Sequence, residues 1–263
     1  MAGQREAQSV PWFADERPAE VIADGVRLDG RSLEEFRNVF LKTGVISQAS
    51  GSAYAEFGHT KVMVGVYGPR QSERRVEYSE QGRINVDVKL ASFATRQRGI
   101  FGQSPEEREL SAGVQAALEA AADLASFPKA SADVYVLVLE AGGGELGVAA
   151  TAAALALADA GIELFDIVVA CSVSRVDGCL LLDPSTDESF REQGGLVLAL
   201  LPTSNEVTQL VSRGRWSGSQ LREGLELAMG GCAQLESAAR QCLKDAVVAA
   251  AAKQRQQQQQ AQA

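Results

Sequence analysis

The segment 135–160, YVLVLEAGGGELGVAATAAALALADA, constrains the fold more than any other part of the chain. Apolar and β-branched residues at 135–139 are typical of a buried strand. The glycines at 142–144 can adopt backbone conformations that other residues avoid, so the chain can reverse tightly there. From residue 145 onward, alanine and leucine favour a helix that is too apolar on most faces to lie in water. The segment therefore predicts a buried strand, a tight turn and a buried helix in succession.

A glycine turn that leads into a helix is also a potential anion site. The first helical N–H groups have no partners and the helix dipole favours negative charge, so phosphate is the first ligand to consider. The turn is followed, however, by Glu145 and Leu146. A carboxylate about 4 Å from a bound anion costs about 4 kcal/mol near a protein surface, and Leu146 has no side-chain donor. We therefore interpret the turn as structural.

The same turn leaves a nucleotide-binding enzyme open as an alternative class. The residues at 142–144 do not have the GxGxxG or GxxxxGK spacing of nucleotide-binding loops, and no suitable lysine follows them. This spacing disfavours the alternative without testing it. Titration of the protein with ATP or NAD would test whether it binds nucleotides.

Composition limits the classes of protein further. A chain of 263 residues, 46% of them hydrophobic, can form one large domain or two modest ones. A net charge of −9 argues against a self-sufficient nucleic-acid binder, although a local basic patch within a larger assembly remains compatible with it. The N-terminus lacks a signal pattern, and Asp159 within the apolar helix favours a protein core over a membrane.

The cysteines do not suggest a metal centre. They show no paired metal-ligand spacing and the chain has one histidine, His59, which we interpret as a turn residue. We predict reduced, buried thiols in a cytosolic or nuclear protein, and no metal or cofactor. The four cysteines are Cys171, Cys179, Cys232 and Cys242.

The remaining patterns predict one compact α+β domain. Ser104 and Pro105 favour a helix start, and this helix is predicted to reach about residue 126. A turn at 29–32, DGRS, is interpreted as carrying a surface arginine. We assign 1–25 to an N-terminal arm, 26–250 to the domain and 251–263 to a disordered glutamine-rich tail. Strands are predicted at 39–48, 51–57 and 60–67 as an antiparallel meander, and at 83–92, 167–175, 178–182, 196–201 and 206–212, with a last helix at 217–251.

Arginines cluster between residues 68 and 102, on both sides of a predicted strand. A guanidinium group can contact phosphate through two N–H donors, and Phe93 and Phe101 could stack on bases. This pattern suggests RNA-contacting loops, while solvated loops with ion pairs to nearby glutamates remain the alternative. The candidate RNA contacts are Arg70, Arg74, Arg75, Arg96 and Arg98.

Three motifs in sequence order resemble one known family. They are GVISQASGSAYAEFGHTKVMVGVYGPR at 44–70, ALALADAGI at 154–162 and LLDP at 181–184. The chain resembles the RNase PH-type proteins, which include phosphorolytic 3′-to-5′ exoribonucleases and exosome ring subunits. The resemblance covers about 26–246 and is greatest to the non-catalytic, mRNA-transport-regulator-type ring subunits. It implies an RNase PH-like fold, with mixed and antiparallel sheets and packed helices around a βαβα core.

The resemblance also implies where a catalytic site would lie. Active members carry Thr-Arg after the glycines, arginines in the helix that starts near residue 105, and a pair of aspartates six residues apart that is associated with a metal ion. Counting from the flanking motifs gives the corresponding residues here. They are Glu145 and Leu146, Glu106 and Ala112, and Glu188 and Gly194.

These replacements imply a non-catalytic subunit of the RNA exosome that supports rRNA processing and mRNA decay. Its implied partners are other RNase PH-like subunits in a hetero-oligomeric six-membered ring, an RNA-binding cap subunit, an associated catalytic exoribonuclease and single-stranded RNA. The implied location is the nucleus, the nucleolus and the cytoplasm. The alternative is an active phosphate-dependent exoribonuclease that uses Asp183 and Asp187 with an arginine from 70–98.

Overall fold

The computed structural model describes residues 22–23, 26–71, 81–96, 98–99 and 102–261. Most of the predicted N-terminal arm, and Arg74, Arg75 and Phe101, lie outside these residues. The strands are β1 (Ile22–Ala23), β2 (Val26–Arg27), β3 (Val39–Thr43), β4 (Gly51–Phe57), β5 (Thr60–Gln71), β6 (Arg83–Leu90), β7 (Ala130–Glu140), β8 (Val169–Val176), β9 (Cys179–Leu182), β10 (Gly194–Leu201) and β11 (Glu206–Gly214). The helices are α1 (Pro105–Glu119), α2 (Glu145–Asp159), α3 (Thr186–Ser189) and α4 (Gly218–Ala261).

Two large sheets form the framework. One has five strands in the order β3-β4-β5-β7-β6, and the other has four in the order β11-β10-β8-β9. The predicted antiparallel meander is confirmed, because β4 pairs antiparallel with both β3 and β5. β6 pairs parallel with β7, which the connection through α1 permits. Mixed and antiparallel sheets with packed helices were the predicted architecture.

Helix α2 fills the space between the two sheets. Every residue from Gly147 to Leu157 is buried, and the helix contacts β4 and β5 on one side and β8 on the other. Its small alanine side chains allow strands to approach it from both directions. The prediction of a buried helix after the glycine turn is therefore confirmed.

Local signals placed the start of α1 correctly but not its end. Ser104 accepts a hydrogen bond from Glu107 N, and the Glu107 side chain accepts one from Ser104 N, which completes a capping box. The helix ends at Glu119 instead of the predicted residue 126. It ends there because the chain turns to pair Ala122 with Leu164 across a β-bridge.

The last helix is longer than predicted. α4 continues to Ala261 and so includes most of 251–263. The residues of this segment are mainly alanine, glutamine, lysine and arginine, all of which favour helix. Disorder of this tail stays a prediction. Within the described residues, no helix is both long and apolar enough to cross a membrane.

Both sheets share one hydrophobic core. The core is continuous from Val64 in the first sheet, through Leu155 in α2, to Leu198 in the second sheet. Cys171 and Cys232 are buried within it, as the sequence predicts, whereas Cys179 and Cys242 are only partly buried, and all four cysteines are free. Burial raises the pKa of the Cys232 thiol to about 12, so this thiol stays neutral at physiological pH.

Candidate functional site

A cavity of about 430 Å³ lies where α1, the start of α2 and strands β8, β10 and β11 meet. We call it the acidic cavity. Its walls are mainly apolar, and its charged lining consists of three carboxylates and one guanidinium. The apolar lining includes Leu110, Leu146, Val173, Leu196, Val197 and Val211, and the charged residues are Glu109, Glu145, Glu192 and Arg213.

The anion-binding end of the glycine turn is occupied by the chain's own carboxylate. Gly143 N donates a hydrogen bond to Oε1 of Glu145, with an N-to-O distance of 3.0 Å. Gly144, the N-cap of α2, has a φ of 66° and provides no side-chain cap. Glu145 therefore supplies the negative charge that the start of the helix favours. A nucleotide or phosphate would have to displace it.

Leu146 packs against α1 and is not available to a ligand as a donor. A Cβ added to Gly113 would lie 2.9 Å from Leu146 Cδ1, so the two helices approach closely at this point. Ala112 lines the acidic cavity beside this contact. Glu106 does not, because it lines a separate depression together with Arg98. Of the two α1 positions taken from the resemblance, only Ala112 reaches the cavity.

Each of the two positions counted for the aspartate pair comes one residue before a residue that lines the acidic cavity. Ser189 and Gly195 line the acidic cavity, whereas Glu188 and Gly194 do not. A Cβ on Gly194 would point to the Trp216 ring, 2.9 Å from its nearest atoms. Because side chains alternate along a strand, Gly195 then faces the cavity. The lining positions therefore hold a hydroxyl group and no side chain, and neither provides a carboxylate.

Glu192 occupies the space above Gly195. A Cβ on Gly195 would lie 2.9 Å from either carboxylate oxygen of Glu192. Ser174 Oγ donates a hydrogen bond to Glu192 Oε2 at 2.7 Å and holds the carboxylate in this position. An aspartate at position 195 would therefore collide with an acid that is already present.

The cavity lining carries net negative charge. Arg213 pairs with Glu109 at the exposed rim. Neither Glu145 nor Glu192 forms an ion pair within the part of the chain that the structure describes. Two uncompensated carboxylates would repel a phosphate or RNA anion placed in this cavity.

A buried arginine cluster lies on the other side of the glycine turn. Arg37 donates hydrogen bonds through Nε and an Nη to the two oxygens of Asp183, at 2.8 and 2.7 Å. It also donates to the carbonyl oxygens of Gly142 and Gly143, both at 2.9 Å. The carbonyls of the turn are thus held by Arg37, while the Gly143 amide is held by Glu145.

The cluster includes two more arginines. Arg27 and Arg31 lie 3.6 and 3.8 Å from Glu188 Oε2, and both are buried. Burial lowers the pKa of Arg27 despite the nearby carboxylates. Arg31 belongs to the DGRS turn, so the interpretation of a surface arginine there was wrong. The members of the buried arginine cluster are Arg27, Arg31, Arg37, Asp183 and Glu188.

The described candidate RNA-contact arginines lie at two ends of the five-stranded sheet. Arg70 is opposite Ser131, at the start of β7, and pairs with Asp133. Arg96 and Arg98 follow β6, whose last residue, Leu90, is opposite Val138 near the end of β7. RNA contact by these arginines, and by Arg74 and Arg75 outside the described residues, stays a prediction.

Arg96 lies in a neighbouring groove, which shares Glu145 with the acidic cavity and which we call the open groove. Its guanidinium is 3.2 Å from Asp187 Oδ1, and exposed Phe93 and Phe190 line the same groove. This combination of a cation and exposed aromatic rings would suit stacking on single-stranded RNA.

The alternative catalytic pair does not share a site. Both oxygens of Asp183 bond Arg37 in the buried cluster, while Asp187 pairs with Arg96 in the open groove. Neither aspartate lines the acidic cavity. Among the described residues, no group of three or more histidine, cysteine, aspartate or glutamate side chains is placed to hold a metal ion.

The fold, with the acidic cavity at its glycine turn, defines an RNase PH-like protein, and comparison with known families agrees. A family model described as the 3′ exoribonuclease family, domain 1, matches residues 35–163, and one described as domain 2 matches 166–231. The chain belongs to the 3′ exoribonuclease (RNase PH) family. The family models divide it into two domains at about residue 165, although the two parts share the continuous core described above.

Relatives in sequence are exosome components. The Arabidopsis thaliana exosome complex component RRP41-like is 41% identical over 226 residues, which cover 86% of this chain and 87% of the relative. Human exosome complex component MTR3 is 39% identical over 258 residues, or 92% of each chain. Rrp41 of Pyrococcus furiosus is 34% identical over 223 residues, covering 84% of this chain and 89% of the relative. The predicted resemblance to exosome subunits is confirmed.

Solved structures confirm the predicted fold. Rice Rrp46 has a TM-score of 0.73 at 24% identity and covers 81% of this chain and 98% of its own. The Archaeoglobus fulgidus exosome with RNA bound to the active site also gives a TM-score of 0.73 at 24% identity, covering 81% of this chain and 92% of that chain.

Proposed function

We propose that this chain is a non-catalytic structural subunit of the RNA exosome ring. The observation that carries the proposal is the hydrogen bond from Gly143 N to the Glu145 carboxylate, which places a fixed negative charge where the family's active members hold phosphate. The exosome names of the relatives support the ring assignment. The framework of the site is retained while its anion-binding groups are replaced.

Three separate replacements support the loss of catalysis. The glycine turn is followed by Glu145 and Leu146, the counted positions in α1 hold Glu106 and Ala112, and the counted aspartate positions hold Glu188 and Gly194, next to the cavity-lining Ser189 and Gly195. Phosphorolysis brings phosphate toward an RNA phosphodiester, so it needs cations or donors that draw two anions together. Each missing group costs about 3 kcal/mol of transition-state stabilisation, so the combined loss leaves no useful turnover.

The proposed role is assembly and RNA guidance. The chain pairs with other RNase PH-like subunits in a hetero-oligomeric six-membered ring, supports an RNA-binding cap subunit and helps guide single-stranded RNA toward an associated catalytic exoribonuclease. Relatives named as exosome components, and a solved exosome with RNA, support this role. We expect the chain in the nucleus, the nucleolus and the cytoplasm, where rRNA processing and mRNA decay take place.

A turnover assay tests the lack of catalysis. The isolated protein is incubated with phosphate, magnesium and single-stranded RNA, and released nucleoside diphosphates are measured beside an active RNase PH. We expect release at the level of buffer alone. Release above that level that is lost in the Asp183→Asn or Asp187→Asn variant would instead establish the active-enzyme alternative.

A second experiment tests the ring assignment separately. The tagged full-length chain is recovered from cells and its partners are identified by mass spectrometry. We expect several RNase PH-like subunits together with a cap subunit in stoichiometric amounts. Recovery of the chain alone, or as a homo-oligomer only, would contradict the assignment whatever the turnover assay shows.

A further inference from the structure

The acidic cavity retains the size of a ligand site although its phosphate-binding groups are gone. At about 430 Å³ it falls within the range typical of small-molecule pockets. Leu146, Val197 and Val211 provide apolar walls, and polar groups converge at one end. An apolar enclosure with a few directed polar groups is the usual form of a binding site.

The free charge in the cavity is negative. Glu145 uses Oε1 to accept from Gly143 N, and Glu192 uses Oε2 to accept from Ser174 Oγ. A carboxylate offers about four acceptor positions, so both groups keep capacity for further donors. The guanidinium of Arg213 is already paired with Glu109 at the rim. A ligand that matches this lining brings positive charge and N–H donors.

A buried hydroxyl group provides an independent indication of a ligand. Ser172 is 7% exposed and lines the acidic cavity. Its Oγ has no hydrogen-bond partner within the described part of the chain. It lies beside the start of α2, 3.3 Å from where a Cβ on Gly144 would be. A buried polar atom without a partner is costly, so this hydroxyl is suited to meet a polar group that enters the cavity.

We propose that the acidic cavity binds an organic cation, namely an ammonium or guanidinium group on a short apolar stem. The cationic group donates to Glu145 and Glu192, Ser172 Oγ accepts one further N–H, and the stem packs on Leu146 and Val197. Lysine and arginine side chains and free alkylamines share this chemistry. Binding needs only the isolated chain, so it can be tested independently of ring assembly and of turnover.

The test uses the full-length chain with ¹³C-labelled leucine and valine methyl groups. n-Butylguanidinium and n-butylammonium are titrated in parallel with n-butanol, butyrate and inorganic phosphate, and methyl shifts are followed by NMR. We expect at least one cation to shift the Leu146 and Val197 methyl signals saturably, and to do so less in high salt because screening weakens charge pairing. The neutral and anionic compounds should leave these signals unchanged.

Variants locate the site. We expect Glu145→Gln and Glu192→Gln each to weaken binding of the cation about tenfold, since each removes a charge-assisted hydrogen bond. Both glutamine side chains can keep the existing hydrogen bonds, so folding should be preserved. Glu163→Gln, exposed beyond the far end of α2, is the matched control and should bind like the wild type.

A tripeptide with a central lysine or arginine and blocked ends distinguishes the two sources of the cation. Binding of the tripeptide as tight as that of the free amine indicates a partner's side chain, and binding of the free amine alone indicates a small metabolite. The proposal is overturned if no cation shifts the cavity methyl groups, if n-butanol binds equally well, or if phosphate binds there. These titrations use the wild-type protein, so they test binding of the cation even if a variant fails to fold.

Discussion

The buried arginine cluster and the acidic cavity lie on opposite sides of one glycine turn. Charged groups are paired in the cluster, whereas two carboxylates of the cavity have no ion-pair partner among the described residues. In the cluster, Arg37 and Asp183 are buried and joined by two short hydrogen bonds. In the cavity, Glu145 and Glu192 have neutral donors but no ion-pair partner within the described residues. Balanced, buried charges hold the fold together, whereas unbalanced, accessible charges set what the cavity can accept.

The largest expected effect is at Arg37. Arg37→Met removes the donors to Asp183 and to the Gly142 and Gly143 carbonyls, and leaves a buried carboxylate without compensation. We expect the free energy of unfolding to fall by about 3–5 kcal/mol. Urea denaturation followed by circular dichroism measures this change.

The control for Arg37 is an arginine in an exposed ion pair. Arg222 lies 3.4 Å from Glu226 on the surface of α4. Arg222→Met should change the free energy of unfolding by no more than about 0.5 kcal/mol. Equal effects of the two substitutions would show that the buried cluster has no special structural role.

The same substitution at two glutamates sharpens the comparison. Glu188 is buried near Arg27 and Arg31, so Glu188→Gln should cost about 2 kcal/mol of unfolding free energy. Glu192→Gln should have an effect within about 0.5 kcal/mol, because it removes an exposed carboxylate that has no cation beside it. Paired urea denaturation curves measure both. A larger loss of unfolding free energy for Glu192→Gln than for Glu188→Gln would show that the carboxylate in the acidic cavity stabilises the fold more than the one in the buried arginine cluster.

The smallest expected effect is the loss of stability at low pH that depends on Asp29, at the edge of the buried arginine cluster. Burial by itself raises the Asp29 pKa, but the hydrogen bonds that Arg31 donates outweigh it and bring the pKa below its ordinary value of 3.8. The ionised carboxylate therefore stabilises the fold above that pH, and this contribution is lost as the pH falls through the lowered pKa. We expect Asp29→Asn to be less stable than wild type near neutral pH and equal to it in strong acid. Urea midpoints across this range test this, and a gap that widens in acid would contradict it.

Local signals in the sequence predicted much of the fold. Ser104 and Pro105 placed the start of α1, and the apolar run, three glycines and alanine-rich stretch predicted the central strand, turn and helix. These features depend on residues that are close together in sequence. The end of α1 depended on a β-bridge from Ala122 to Leu164, which no local pattern indicates.

The site was predicted less completely, for physical reasons. Arg37 and Asp183 are 146 residues apart, so their pairing left no sequence signal. Gly194 and Gly195 are identical and adjacent, so the sequence does not indicate which one faces the cavity. Only the pleat of β10 decides this. Glu145 was the exception, because its place directly after the glycines already indicated a carboxylate at the helix start.

The way Arg37 holds the glycine turn has an evolutionary consequence. With the carbonyls of Gly142 and Gly143 anchored from behind, the Gly143 amide keeps its direction whatever residue stands at position 145. A single substitution of Glu145 would therefore free the Gly143 amide in its present orientation. The other carboxylate of the acidic cavity, Glu192, would still oppose an anion there. Replacing Glu145 alone therefore frees one donor of the turn without making the whole cavity favourable to phosphate.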